Sequence, residues 1–127
     1  MPVRKQLSVR LPNSPGALVA VCRVLAAERV SIAALSLDGH GQLRLVVDNH
    51  VLAIGALRHE HYQITEQDVL VLSVPHGAGG LASVAGLLAG TGVNIDYAYT
   101  GPADHAGLGL VVVGVQDAAR AATAAGA

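Results

Sequence analysis

The sequence repeats itself. Shifted by 63 positions, it aligns with its own second half without a gap: Pro12 falls on Pro75, Gly16 on Gly79, Leu18 on Leu81, Val21 on Val84, Leu25 on Leu88, Ala26 on Ala89, Val30 on Val93 and Ile32 on Ile95, with Leu7 on Leu70 upstream. Shared turn residues and shared apolar positions mean that both halves solve the same packing problem, so two copies of one supersecondary unit are expected. The expected modules are residues 1–66 and 67–127. Each is close to the lower size limit for an independent core, which makes association with a neighbour valuable.

Each copy opens on an extended segment that reads as a strand, alternating in Gln6 to Leu11 and almost continuously apolar in Val69 to Val74. Each then meets a turn, Pro12-Asn13-Ser14-Pro15-Gly16 and Pro75-His76-Gly77-Ala78-Gly79-Gly80. Leu18, Val21, Cys22 and Leu25 follow at helical spacing, as do Leu81, Val84, Ala85 and Leu88. Second strands are expected at Ser31 to Leu37 and Val93 to Tyr99, third strands at Leu43 to Val47 and Leu108 to Val113. Hairpin connections join them at Asp38-Gly39-His40-Gly41 and Gly101-Pro102-Ala103-Asp104. Aspartates suited to capping, Asp48 and Asp117, precede short helices at Val51 to Leu57 and at an alanine-rich run to Ala125. Tyr62 to Thr65 supplies a fourth strand in the first copy, and the second reaches Ala127 without one. The expected fold is therefore α+β: two tandem ferredoxin-like βαββαβ modules, antiparallel sheets with helices on one face, the second lacking its final strand. One bare sheet face per module and an open edge in the second favour association, and a homodimer is expected.

Composition decides which partners such modules can take. Hydrophobic residues at 52% against 13% charged describe a packed globule, yet without Phe or Trp the core must be Val, Leu, Ile and Ala. A net charge of −1, with Arg4 and Lys5 the only basic cluster, argues against nucleic acid. No apolar run is long enough to span a bilayer, and the amino terminus lacks a signal peptide's apolar stretch, so no membrane partner is expected. A lone cysteine, Cys22, forms no internal disulfide, and the cytoplasm is the expected compartment.

The turns carry the functional expectation. Gly16 and Gly79 sit just ahead of helix starts, where the first backbone N–H groups lack helical partners and the helix dipole favours an anion. A carboxylate suits that place, with Asn13, Ser14, Asn94 or Asp96 available to orient the rest of a small ligand. The bland alternative is that Gly and Pro only turn the chain and water satisfies the amides. A rival motif, Gly77-Ala78-Gly79-Gly80-Leu81-Ala82, fits a dinucleotide fingerprint, but Asp96 falls near the beginning of its strand and too little chain follows for a parallel sheet.

Pro12-Asn13-Ser14-Pro15-Gly16-Ala17-Leu18 with Val30-Ser31-Ile32, and Pro75-His76-Gly77-Ala78-Gly79-Gly80-Leu81 with Gly92-Val93-Asn94-Ile95, resemble the turn and strand entry of ACT domains. The resemblance spans nearly the whole chain and implies a tandem ACT protein, a regulatory module binding an amino acid or similar metabolite where modules meet. It implies ligand contacts at Asn13, Ser14, Pro15, Gly16, Ala17, Leu18, Ser31 and Ile32, and at His76, Gly77, Ala78, Gly79, Gly80, Leu81, Asn94 and Ile95. The turns differ in Pro15 against Ala78 and Asn13 against His76, so equal binding by both is left open.

Chemistry is harder to assemble. His59 and His61, two apart, diverge on a helix, and a metal needs three or four converging ligands. His40 and His105 fall in hairpin loops; His76 either bonds a carboxylate or caps its helix. Cys22 lies on the apolar stripe, and no nucleophile, acid or base set is recognisable. Tyr97 and Tyr99 share one strand face and either line a pocket or cover the sheet. The expectation is a non-catalytic amino-acid-binding regulator without cofactor or metal; the alternative is a regulatory module that docks on an enzyme or regulator without a small ligand.

Overall fold

The computed structural model describes residues 2–104 and 106–124. The expected helix end at Ala125, the chain end at Ala127 and the loop residue His105 lie outside the described residues. Six antiparallel strands and four helices run β1 (Val3–Arg10), α1 (Ala17–Ala27), β2 (Ile32–Leu37), β3 (Gln42–Val47), α2 (His50–His59), β4 (Ile64–Pro75), α3 (Gly80–Gly90), β5 (Tyr97–Gly101), β6 (Leu108–Gly114) and α4 (Ala118–Ala124). The chain divides into two compact units: Lys5–Gln67, here the N-terminal unit, and Asp68 onward together with the residues preceding Lys5, the C-terminal unit.

In the N-terminal unit the hydrogen-bonded order is β2-β3-β1-β4. Leu7, Val9 and Leu11 alternate with polar residues and pack with Leu43, Leu45 and Val47 against Val21, Leu25, Ala53, Ile54 and Leu57 of the two helices. Pairing of Leu7 with Leu45 and of Val9 with Leu43 keeps these side chains on one face, as a period of two demands. The opposite face is mixed rather than purely apolar: Ser8 pairs with Arg44 and Ala34 with Val46, and Gln6 is buried. The expectation of a bare apolar face is thus corrected. Asp48 does not cap α2. Its Oδ1 accepts the Ser31 N–H at 3.0 Å and clips β2 to β3, while Asn49 caps the helix by accepting the Leu52 N–H at 3.1 Å.

In the C-terminal unit the order is β1-β4-β6-β5, with Leu70, Val74, Val111 and Val113 packed against Leu88, Ala118, Ala121 and Ala122. Tyr97 pairs with Gly114 and stacks on Tyr99, ring centroids 6.4 Å apart, so the tyrosines cover sheet and a Cβ at Gly114 would strike the Tyr97 ring. The edge expected to be open is filled by the start of the chain: the Val71 N–H donates to the Pro2 carbonyl at 2.6 Å. Two further boundaries move. The expected strand Tyr62–Thr65 begins only at Ile64, and it runs on through Val69–Val74, read as a separate strand, in a single β4 whose polar middle from Glu66 to Asp68 is exposed. The expected strand from Val93 begins only at Tyr97.

Candidate functional site

Both repeated turns enter their helices through a left-handed glycine, Gly16 at φ 84° and Gly79 at φ 88°, a conformation that L side chains rarely adopt. Neither helix start has a side-chain cap. The Ala17 N–H turns back to the Ser14 carbonyl at 3.3 Å and the Ala20 N–H takes the Gly16 carbonyl at 3.1 Å, which leaves the amides of Leu18 and Val19 without an acceptor among the described residues. Gly80 and Ser83 make the matching bonds to Gly77 and Gly79, at 3.4 and 3.1 Å, and leave Leu81 and Ala82 in the same condition.

Around the first turn the structure forms a cleft of about 420 Å³, within the range of small-molecule sites. Its walls come from the end of β1, the turn, the first residues of α1 and the β2–β3 hairpin. Of the residues expected at this site, Asn13, Ser14, Gly16, Ala17 and Leu18 line it, and Pro15 lies in the same turn without lining it. Ser31 and Ile32 are elsewhere, at the opposite end of β2 from the cleft residue Leu37. In the C-terminal unit His76, Gly77, Ala78, Gly79, Gly80 and Leu81 form the second turn, and they line neither this cleft nor the smaller polar depression of about 200 Å³. That depression holds Asn94 with Asp96, Asp117 and Arg120, and the Asn94 Nδ2 donates to Asp96 at 3.3 Å. Ile95 packs on the core of its unit.

The hairpin at the cleft is set by Asp38. Its Oδ1 accepts the N–H groups of His40 at 2.8 Å and Gln42 at 3.2 Å, and these two bonds, the Gln42 amide first, hold the carboxyl below the usual carboxylate range. Gly41, at φ 79°, lies so close to the end of β1 that a Cβ there would strike the Leu11 carbonyl; its own carbonyl accepts the Leu11 N–H at 2.8 Å. The hairpin therefore buttresses the turn. Asp104 repeats the device: it accepts the N–H groups of Ala106 and Leu108, each at 2.9 Å, so the second hairpin closes at Asp104–Leu108 rather than at the expected Gly101–Asp104.

No protein-family model matches the sequence, and no curated protein does. Solved structures do. The crystal structure of protein BT0572 from Bacteroides thetaiotaomicron is 32% identical, covers 97% of this chain and 86% of its own, and superimposes with a TM-score of 0.85. The chain belongs to the BT0572 family. The regulatory subunits of aspartate kinase from Thermus flavus and, in ligand-free form, Thermus thermophilus share the fold, with TM-scores of 0.69 and 0.71 at 20% and 21% identity. They cover 98% and 97% of this chain, and 92% and 90% of their own. The architecture is the ACT type.

The dinucleotide fingerprint finds no support in this BT0572-family chain. β4, which leads into Gly77 and Gly79, pairs antiparallel with β6, and no parallel βαβ unit surrounds the turn. Among the described residues no three His, Cys, Asp or Glu side chains gather as metal ligands, and no helix is long and apolar enough to cross a membrane. Seven cleft residues escaped the sequence reading as site residues: Leu11, Pro12, Val19, Cys22, Leu37, Asp38 and Gly41. A signal for Asp38 exists, because Asp38 with Gly41 recurs as Asp104 with Gly107. That recurrence is offset by 66 rather than 63 positions, beyond the reach of an ungapped comparison.

Proposed function

We propose that this chain is a non-catalytic regulatory protein that binds an amino acid in the cleft at the first turn. In this reading the halves 1–66 and 67–127 are ACT-like modules, and the protein works as a homodimer in the cytoplasm. The observation that carries it is the pair of unpartnered amides at Leu18 and Val19, held open by left-handed Gly16 on a cleft of ligand size. Two unbonded N–H groups at the positive end of α1 suit a carboxylate. The fold shared with aspartate kinase regulatory subunits supports the regulatory part.

Thermal unfolding against each of the common amino acids tests it. A ligand of the native state raises stability by RT ln(1 + [L]/Kd), about 2.7 kcal/mol at a hundredfold excess over Kd. At least one amino acid is expected to raise the melting temperature, and no response to any of them overturns the reading. A second reading, a docking module without a small ligand, draws on Leu81 and Leu87 of α3, which stand 53% and 49% exposed on a helix without a charged residue. It predicts no response to amino acids.

A further inference from the structure

We infer that the first-turn cleft selects an α-amino acid with an aliphatic side chain, gripped at its ammonium end by Asp38, and that only this one of the two turns takes a ligand. The inference rests on the amino-acid reading above and adds the ligand class, the second anchor and the stoichiometry.

The class follows from the walls. Leu11, Leu18, Val19, Cys22 and Leu37 line the cleft, and Val19 and Leu37 stand 45% and 42% exposed, so a ligand there would meet apolar side-chain surface. Asp38 is the one charged residue among those lining it. A charged ligand side chain entering such a space loses water and gains no partner of its own, whereas an aliphatic one loses nothing it needs. The ammonium has a place as well. Both hydrogen bonds to Asp38 fall on Oδ1, so Oδ2 accepts none; the charges of His40 and Arg44 also act on this carboxylate, and Asp38 lines the same cleft as Leu18 and Val19, whose amides are open. Anion site, cation site and apolar wall together describe a zwitterion with a hydrocarbon side chain.

The stoichiometry follows from the repeat. The left-handed glycine, the free amides and the aspartate of the hairpin are all duplicated, as Gly79, Leu81 with Ala82, and Asp104. The walls are not. Val19 corresponds to Ala82, Cys22 to Ala85 and, through the hairpin aspartates, Leu37 to Ala103. Each substitution removes the atoms that a hydrocarbon side chain would touch, and a single methylene contact in an apolar pocket is worth roughly tenfold or more in discrimination. Three such losses disarm the second turn.

Isothermal titration of the full chain with leucine, isoleucine, valine, alanine, serine, aspartate and lysine tests the inference. One of the branched aliphatic amino acids is expected to bind at one per chain, at least tenfold tighter than alanine, serine or either charged amino acid. Asp38→Asn keeps the Oδ1 acceptor of the hairpin, so it is expected to weaken that ligand at least tenfold while leaving its desamino analogue, the free carboxylic acid, unchanged. Leu37→Ala, at a position 42% exposed and thus tolerant in folding, is expected to weaken the aliphatic ligand about tenfold and alanine little. Preference for a charged or hydroxyl side chain, two ligands per chain, or equal loss of the amino and desamino compounds in Asp38→Asn overturns the inference and leaves the amino-acid reading standing. Binding of none of the common amino acids overturns both.

Discussion

The two repeated turns share a backbone and differ in what surrounds it. Gly16 and Gly79 hold nearly the same left-handed φ, and Asp38 and Asp104 close their hairpins by accepting the backbone N–H groups two and four residues on. Yet the cleft stands at the first turn, among Val19, Cys22 and Leu37, where the second has alanines. The lesson concerns what a duplication must keep. A positive φ restricts the residue to glycine and an Asx turn restricts it to a short acceptor side chain, whereas a half-exposed wall tolerates any size that leaves the core intact.

The largest effects that can break the comparison lie in the cores. Leu25 and Leu88 occupy matching positions and both are fully buried, so truncation to alanine is expected to cost about 2 to 5 kcal/mol in each. Leu88 is the one buried residue of α3, whereas α1 also buries Val21, so Leu88→Ala is expected at the upper end and Leu25→Ala at the lower. Denaturant midpoints with amide exchange across both helices read the difference, and equal losses with equal exchange would break the asymmetry. Next come the hairpin glycines. Gly41 and Gly107 both sit at φ 79°, but a Cβ at Gly107 meets open space while one at Gly41 strikes the Leu11 carbonyl. Gly107→Ala is expected to cost about 1 kcal/mol and Gly41→Ala about 1 to 3 kcal/mol more, measured by thermal unfolding.

A smaller effect tests the caps. Asn49 accepts the Leu52 N–H and Asp117 the Arg120 N–H, each at 3.1 Å, and alanine at either is expected to cost about 1 kcal/mol by chemical denaturation. The smallest concerns pH. Asp38 is held below the usual carboxylate range by the Gln42 and His40 amides, so its contribution to the first hairpin is fully present above the unfolded carboxylate pKa and fades as pH falls through the lower folded value. Amide shifts of His40 and Gln42 titrating together in acid, below the usual aspartate midpoint, check it; a midpoint at or above the ordinary value contradicts the hydrogen-bond assignment.

Much of the fold was legible in the order of residues. Leu7, Val9 and Leu11 announced a half-buried strand, Val21 and Leu25 a helical stripe, and Gly16 and Gly79 the two helix entries, because each signal is local and periodic. Part of the cleft was legible for the same reason, since Asn13 to Leu18 are contiguous. Ser31 and Ile32 were drawn toward it by the resemblance, and they stand at the far end of β2. The polar run Glu66-Gln67-Asp68, across which the two modules were expected to divide, is the middle of β4, because a strand needs backbone partners more than it needs apolar side chains.

The sequence by itself determined that the chain is built twice from one pattern, that its core is aliphatic and that the first helix of each copy starts at a glycine, since propensity, periodicity and turn chemistry act over a few residues. Only the tertiary structure decided that Val71 pairs with Pro2, so that the chain start serves the C-terminal unit, and that Leu37 and Asp38 come to stand beside Gly16. Such pairings join residues far apart in the chain, and their register is fixed by which partner satisfies an edge or fills a wall once the sheet exists.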